Sequence, residues 1–492
     1  MSRHLRNRSF SDDPFAAMTR PPTNESPEAK QKRQSEEQAA KQRSELIDEE
    51  IKRDRQARLQ SEASQRKLLL LGQAESGKTT TLKQFQLLQS KSAFSAQLHS
   101  YRALIYLNVL NSVRRILNAV ALPDEADQFL SDTSSSSSHS SRSSYARRHY
   151  PPHLAALAVR LRPLLHIQKV LERQLRGSTD PDIIVPPSTR RSRRTESTAS
   201  SGDDQQVTSG EVTVHAWNAW RDRLTRAGNV EGEVICMDWD SRDDPGQVFA
   251  ACIDDLIALW EDEAVQTALA KQRPSIRESP GFFMDDLRRI AERGYMPSAD
   301  DILRARIKTV GVQEHRVRFD RGPDKGLEWI IYDVGGARSQ RLRWAAYFQD
   351  INAIIFLAPI SPFNQTLAED PRMNRVKDSL LLWQEICKNK VLEKVSIVLF
   401  LNKCDLLKAK LVAGVQFKKY MTAYQGPNEW APVAEFLRSK FDEVYRANSS
   451  TPSKRTLYIH QTSVVDSRTT QKIIQDVREQ IMKDALAAVG LY

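Results

Sequence analysis

Leu68-Leu69-Leu70-Leu71-Gly72-Gln73-Ala74-Glu75-Ser76-Gly77-Lys78-Thr79-Thr80 decides the fold. Four consecutive leucines suit a strand buried on both faces. They run into the pattern GxxxxGK[ST], and helix-forming residues continue through Gln89. In that strand–loop–helix context, backbone N–H groups converge on phosphate oxygens at a helix N-terminus. Gly72 and Gly77 permit the tight path. Lys78 reaches the β- and γ-phosphates, and the Thr79 hydroxyl ligates Mg²⁺. An ordinary glycine-containing turn could carry the same eight residues, so the motif needs company.

Two further segments supply it. Asp333-Val334-Gly335-Gly336 follows an apolar run. A carboxylate at a strand end can hold Mg²⁺ through water, and a glycine N–H can meet the terminal phosphate. Alone this is a plain turn. Asn402-Lys403-Cys404-Asp405 closes the run Val395–Leu401. Asp405 can accept two hydrogen bonds from guanine N1–H and N2–H₂. Adenine offers no such pair and would leave a carboxylate unpaired. Lys403 can cover the base with its alkyl stem. The three motifs, in this order, describe a guanine-nucleotide switch.

The chain has 492 residues and a formal charge of +11. That length holds two or three domains. No apolar run approaches the roughly 18 residues of a membrane span, and no positively charged start followed by an apolar stretch appears, so a secretory signal is not expected. Cys236, Cys252, Cys387 and Cys404 show neither CxxC spacing nor a disulfide framework, which fits a reducing cytosol. Basic clusters such as Arg190-Arg191-Ser192-Arg193-Arg194 lack interleaved aromatics. They read as solvated surface, not as a nucleic-acid site.

Residues 1–30 read as a disordered tail. Residues 31–65 are charged helix formers with a thin apolar stripe at Leu46, Ile47 and Ile51. Such a helix has no core of its own and is expected to dock on a partner. Strands are expected at Lys67–Leu71, Gln313–Phe319, Leu327–Tyr332, Ala353–Leu357, Val395–Leu401 and Thr456–His460, with helices between several of them. That pattern is a mostly parallel α/β sheet occupying 66–92 and 302–492. The block 93–301 is helical in period. Polar, low-complexity insertions interrupt it at about 131–150 and 178–211.

These motifs resemble the α subunits of heterotrimeric G proteins, over roughly residues 40–125 and 245–492. LLLLGQAESGKTT is similar to the family phosphate loop. FFMDDLRRIAERGYMPSADDILRARIKT is similar to its first switch region, YDVGGARSQRLRW to its second, and FLNKCDLL to its guanine box. The ending Gly490-Leu491-Tyr492 resembles the family carboxyl terminus. The resemblance implies a Ras-like P-loop GTPase domain interrupted by an inserted all-helical domain, with Mg²⁺ and bound GTP or GDP. Carried over by position, Arg306 is the arginine finger. Thr309 is the second Mg²⁺ hydroxyl ligand beside Thr79, and Gly336 is the γ-phosphate sensor. Gly72, Glu75, Ser76, Gly77, Lys78, Thr80, Leu303, Arg304 and Asp333 join the nucleotide contacts. Asn402, Lys403 and Asp405 read guanine, and Thr462-Ser463-Val464 supports the base. The N-terminal helix, with the second switch at Arg341 and Trp344, would face a βγ dimer. The last helix, about Gln471–Ala488, would face a seven-transmembrane receptor. An effector would complete the signalling circuit.

Departures from the family pattern bear on turnover. Ala337 stands where the family has its water-orienting glutamine. Ala74 replaces a phosphate-loop glycine, and Val464 is bulkier than the usual alanine. Val489 stands where some members have a toxin-sensitive cysteine. Ser2 does not suit myristoylation, and no cysteine precedes Cys236. The expected location is the cytoplasm, with attachment to the inner face of the plasma membrane through partners. The expected function is a GTPase switch with slow turnover, relaying signals from a receptor. The alternative is a hydrolysis-deficient, nucleotide-dependent protein that sequesters βγ or effectors. A P-loop kinase is disfavoured by Asn402–Asp405.

Overall fold

A computed structural model describes residues 26–89, 98–120, 151–176, 239, 244–271, 275–309, 311–319, 325–349, 351–449 and 457–488. The two low-complexity insertions, Cys236, Val489 and the carboxyl terminus lie outside these residues. So does the tail up to residue 25.

Residues 1–65 form one unit, whose described part is the 38-residue helix Pro27–Ser64. The helix starts earlier than expected and takes in residues 27–30, which the sequence reading gave to the tail. Pro27 explains the difference: its fixed φ suits a first helical turn, where its missing N–H costs nothing. Leu46, Ile47 and Ile51 are 63%, 55% and 58% exposed.

The second unit holds a six-stranded sheet in the order β2-β3-β1-β4-β5-β6. Its strands are β1 (Gln65–Leu71), β2 (Val312–Arg318), β3 (Glu328–Val334), β4 (Ala353–Pro359), β5 (Ser396–Asn402) and β6 (Leu457–Thr462). β2 runs antiparallel to β3, while β1–β4, β4–β5 and β5–β6 are parallel. Leu71 sits opposite Phe356, and Asn402 opposite Thr462.

Alternation explains why the central strands are apolar throughout. Leu69, Leu71, Ile354, Phe356, Ile397 and Leu399 face one layer, where Trp383 and Phe441 pack. Leu68, Leu70, Ile355, Leu357, Val398 and Phe400 face the other, where Phe85, Ile474 and Val477 pack. Helix Lys78–Gln89 thus covers the opposite face from helix Arg375–Lys388. Between β1 and β2, the described residues outside helix Lys78–Gln89 build a third, all-helical core. Helix Leu98–Val120 supplies its central stripe, against Leu154, Leu164, Phe249, Leu256 and Phe283. Ile302 and Leu303 belong to this cluster, so the chain leaves the helical core immediately before Arg306 and Thr309.

Candidate functional site

The motifs meet at the carboxyl ends of the strands, where ligands bind in open α/β sheets. β1 delivers the phosphate loop, β3 delivers Asp333, and β5 ends on Asn402. Gly77 has φ +105°, and a Cβ there would strike the side chains of Asn402 and Val464. Only glycine fits both the backbone and the space. Glu75 takes φ +60°, a strained value of the kind that clusters at ligand sites.

Three oxygens form a triangle beside the loop. Thr79 Oγ1 lies 2.8 Å from Thr309 Oγ1, and both donate to Asp333 Oδ2, at 2.7 and 3.0 Å. The second carboxylate oxygen, Asp333 Oδ1, is buried with no partner among the described residues. Hard oxygens, few in number, with an unsatisfied carboxylate among them, fit Mg²⁺, which keeps waters and phosphate oxygens as its remaining ligands. No cluster of three or more His, Cys, Asp or Glu side chains offers a rival metal site among the described residues.

Lys78 is buried, its ammonium donating to the Gly72 and Gln73 carbonyls at 2.9 and 2.8 Å. Burial pulls it down to about 8, against the opposing pull of Asp333. An anion placed there would favour the charged form. Arg306 pairs with Glu75 at 2.7 Å, and Arg375 pairs with the same carboxylate at 3.2 Å. Burial would raise the Glu75 carboxyl, but the Arg306 and Arg375 guanidiniums hold it well below the usual range. Gly336 lies against the Gln73 and Ala74 backbone, where a Cβ would collide. Thr80 Oγ1 donates to the Leu303 carbonyl at 3.4 Å.

Asn402 has a structural duty that the motif did not announce. It is fully buried, its Nδ2 donates to the Ser76 carbonyl at 2.7 Å, and its Oδ1 accepts from Thr462 Oγ1 and Val464 N–H, both at 3.2 Å. Its side chain braces the phosphate loop against the base-support loop. Lys403 adopts the left-handed conformation at φ +66°, and burial lowers its ammonium to about 8. Asp405 opens the helix Cys404–Val412 with its side chain exposed. Val464 is buried, its carbonyl accepting from Gln84 at 3.0 Å.

Two placements correct the sequence reading. The Arg304 guanidinium turns toward the helical core, donating to Asp286 and to the Phe282 carbonyl over the Phe283 ring. Its side chain is therefore committed away from the phosphate loop. Trp344 is buried, its indole N–H donating to the Gly335 carbonyl at 3.0 Å, and Arg341 grips Asp378 at 2.6 Å. In this conformation Leu342, 89% exposed, is the large apolar side chain that the second switch turns outward.

The site also uses residues the motifs did not flag. Arg375 touches Gln73, Ala74 and Glu75 from about 300 positions away. Asn108 accepts from the Arg306 N–H at 2.7 Å. Lys83 donates to the Ile302 and Ala305 carbonyls at 2.8 and 2.9 Å, and burial brings it down to about 7. A polar residue inside an apolar stripe was the available signal for Asn108; sequence separation hid the others.

Asp301 anchors the approach to Thr309. Ser298 and Asp301 form a capping box on helix Ala299–Arg304. The buried Asp301 carboxylate also accepts two bonds of 2.7 Å from Arg289 and one of 2.9 Å from Tyr295. Burial alone would raise this carboxyl; the Arg289 fork and the Ser298 N–H outweigh it and bring it to about 2. The folded value lies below the unfolded one. Its stabilisation is thus complete above about pH 4 and is lost as pH falls toward 2. Asp301→Asn should cost about 2 kcal/mol at neutral pH. It should also flatten the acid limb of a plot of Tm against pH. Superimposable curves for the two proteins would contradict this assignment.

Residues 41–481 match the family model described as G-protein alpha subunit. A guanine nucleotide-binding protein alpha-4 subunit of Mycosarcoma maydis is 33% identical across 97% of this chain and 95% of its own length. A guanine nucleotide-binding protein subunit alpha of Sporothrix schenckii is 27% identical across 93% of this chain and 98% of its own. An alpha-4 subunit of Dictyostelium discoideum is 36% identical over 47% of this chain and 64% of its own length.

Proposed function

The chain belongs to the G-protein alpha-subunit family, and from that premise we propose that it is a GTP/GDP switch with slow hydrolysis, acting between a receptor and an effector. The observation that carries the reading is the triangle of Thr79, Thr309 and Asp333 oxygens beside the buried Lys78 ammonium. Lys78 and the loop N–H groups hold the phosphates. Thr79 and Thr309, with Asp333 behind them, would hold Mg²⁺, which when bound neutralises phosphate charge. Gly336, packed on the phosphate loop, offers its N–H to the γ-phosphate. Arg306, held beside the loop by Glu75, moves onto the charge that develops in the transition state. Asp405 and Lys403 receive the guanine base.

A βγ dimer, a seven-transmembrane receptor and an effector are the partners this reading implies. The exposed Leu46, Ile47 and Ile51 stripe is the surface offered to βγ. No helix of the described residues is long and apolar enough to cross a membrane. The proposed setting is the cytoplasmic face of a membrane, with partners as the tether; co-purification with βγ from a membrane fraction checks both.

Ala337 and Ala74 favour a second reading, in which the protein binds nucleotide, scarcely hydrolyses it and holds its partners. Titration with fluorescent GTP and ATP analogues, with and without Mg²⁺, followed by single-turnover hydrolysis, separates the possibilities. The first reading expects tight, Mg²⁺-dependent, guanine-selective binding with slow release of phosphate. Equal affinity for GTP and ATP would refute it. Tight GTP binding with no phosphate release would leave the second.

A further inference from the structure

Helix Leu98–Val120 carries a polar side chain deep in its apolar stripe. Leu104, Ile105, Leu107, Val109 and Leu110 are fully buried around it, and Asn108 itself is 6% exposed. A carboxamide in such a place costs stability unless it is hydrogen-bonded. This one turns both of its ends to a single residue. Asn108 Oδ1 accepts from the Arg306 N–H at 2.7 Å, and Nδ2 donates to the Arg306 carbonyl in a longer bond of 3.5 Å.

The chain needs an outside partner at that point. Helix Ala299–Arg304 ends there, with Ala305 extended at φ −60° and ψ 128°. In a longer helix the Arg306 N–H would donate to the Ile302 carbonyl. Lys83 takes that carbonyl instead, together with the Ala305 carbonyl, at 2.8 and 2.9 Å. Gly281 packs against the same seat. Its N–H donates to the Arg304 carbonyl at 3.2 Å, and a Cβ on it would come within 2.6 Å of Asn108 Oδ1 and 3.0 Å of the Arg306 Cβ. The Arg306 main chain is thus held by the helical core, while its guanidinium reaches the phosphate loop at Glu75, 2.7 Å away.

An arginine that must exchange a carboxylate for a transferring phosphate needs a fixed base, because a small misplacement of a reacting or stabilising group costs rate. We infer that Asn108 positions Arg306 for hydrolysis, holding its peptide so that the guanidinium passes from Glu75 to the γ-phosphate by side-chain rotation. The inference rests on the GTPase reading above and adds the residue that fixes its arginine. In the hydrolytic step the water oxygen bonds to the γ-phosphorus. The bond from that phosphorus to the β–γ bridging oxygen breaks, its electron pair leaving with GDP. One water proton passes to a γ-phosphate oxygen, giving inorganic phosphate. Neither Arg306 nor Asn108 exchanges a proton.

Asn108→Leu keeps the stripe apolar and removes both bonds; Asn108→Ala removes them with less bulk. In the full chain each should slow single-turnover GTP hydrolysis about tenfold, the worth of one ordinary hydrogen bond. Affinity for a fluorescent GTP analogue with Mg²⁺ should stay at the wild-type value. In an Arg306→Ala background neither substitution should slow hydrolysis further, because Asn108 acts through Arg306. A general defect of the helical core would lower the rate in both backgrounds. The inference is overturned if either variant hydrolyses at the wild-type rate, if analogue affinity falls in proportion to rate, if the loss persists without the arginine, or if Arg306→Ala alone leaves the rate unchanged. If neither variant folds, Asn108 serves the core and the inference is likewise overturned. A wild type that binds no analogue, or releases no phosphate, would instead sink the GTPase reading itself.

Discussion

Ala337→Gln combined with Ala74→Gly is expected to raise single-turnover GTP hydrolysis by ~10²-fold, the scale set by one well-placed polar group at a transition state. Ala337 immediately precedes the 3₁₀ helix Arg338–Tyr347, and its methyl group can neither donate to water nor accept from it. The rest of the apparatus is in place. Lys78 is buried behind the loop, Arg306 is tethered to Glu75, and the three oxygens of Thr79, Thr309 and Asp333 meet beside the loop. A glutamine at 337 adds the missing amide without disturbing those groups, so GTP affinity should change little. Ala74 needs the second change. Gly336 packs against the Ala74 backbone with no room for a Cβ, so loop and switch approach closely at this position, and glycine at 74 removes the one side chain the loop carries there. The single Ala337→Gln variant should therefore show a smaller gain than the pair. A wild type that hydrolyses GTP as fast as the double variant would show that water positioning does not limit the reaction.

The centre of the sheet was legible because β4 and β5 and most of β1 are buried on both faces. Runs such as Leu68–Leu71 and Val395–Leu401 leave few alternatives, and their observed ends fall within two residues of those expected. The motif residues were legible because phosphate and guanine chemistry demand particular groups at fixed spacing. What escaped was long-range and directional. Arg375 reads as an ordinary residue at a helix start until the fold brings it to Glu75. Asn402 belongs to the guanine box by motif, and the motif gave no sign that its amide also ties Ser76 to Thr462 and Val464. Trp344 was expected to face a βγ dimer because the resemblance places it there. The 3₁₀ winding of its segment turns it inward onto Gly335, a rotation that an α-helical period does not anticipate.

Asp405→Asn should lower GTP affinity by ~10²-fold or more and raise affinity for xanthosine triphosphate. Asp405 lies in the first turn of helix Cys404–Val412, exposed where β5 ends and beside the left-handed Lys403. A carboxylate there accepts from both guanine N1–H and N2–H₂. Asparagine keeps one acceptor and turns an NH₂ donor toward the base, so one favourable contact becomes a donor facing a donor. Xanthine carries a carbonyl where guanine has its amino group, and the same NH₂ then finds an acceptor. Groups built to hydrogen-bond a ligand discriminate strongly against one that cannot return the bond. Burial of Asn402 and its bonds to Ser76 and Val464 keep the loop in place when Asp405 changes. The loss should therefore fall on the base and spare the phosphates. Inorganic triphosphate competes through the phosphate loop alone, and its affinity should be equal in the two proteins. If GTP affinity is also equal, Asp405 does not read the base. If triphosphate and GTP weaken together, the substitution has disturbed the loop.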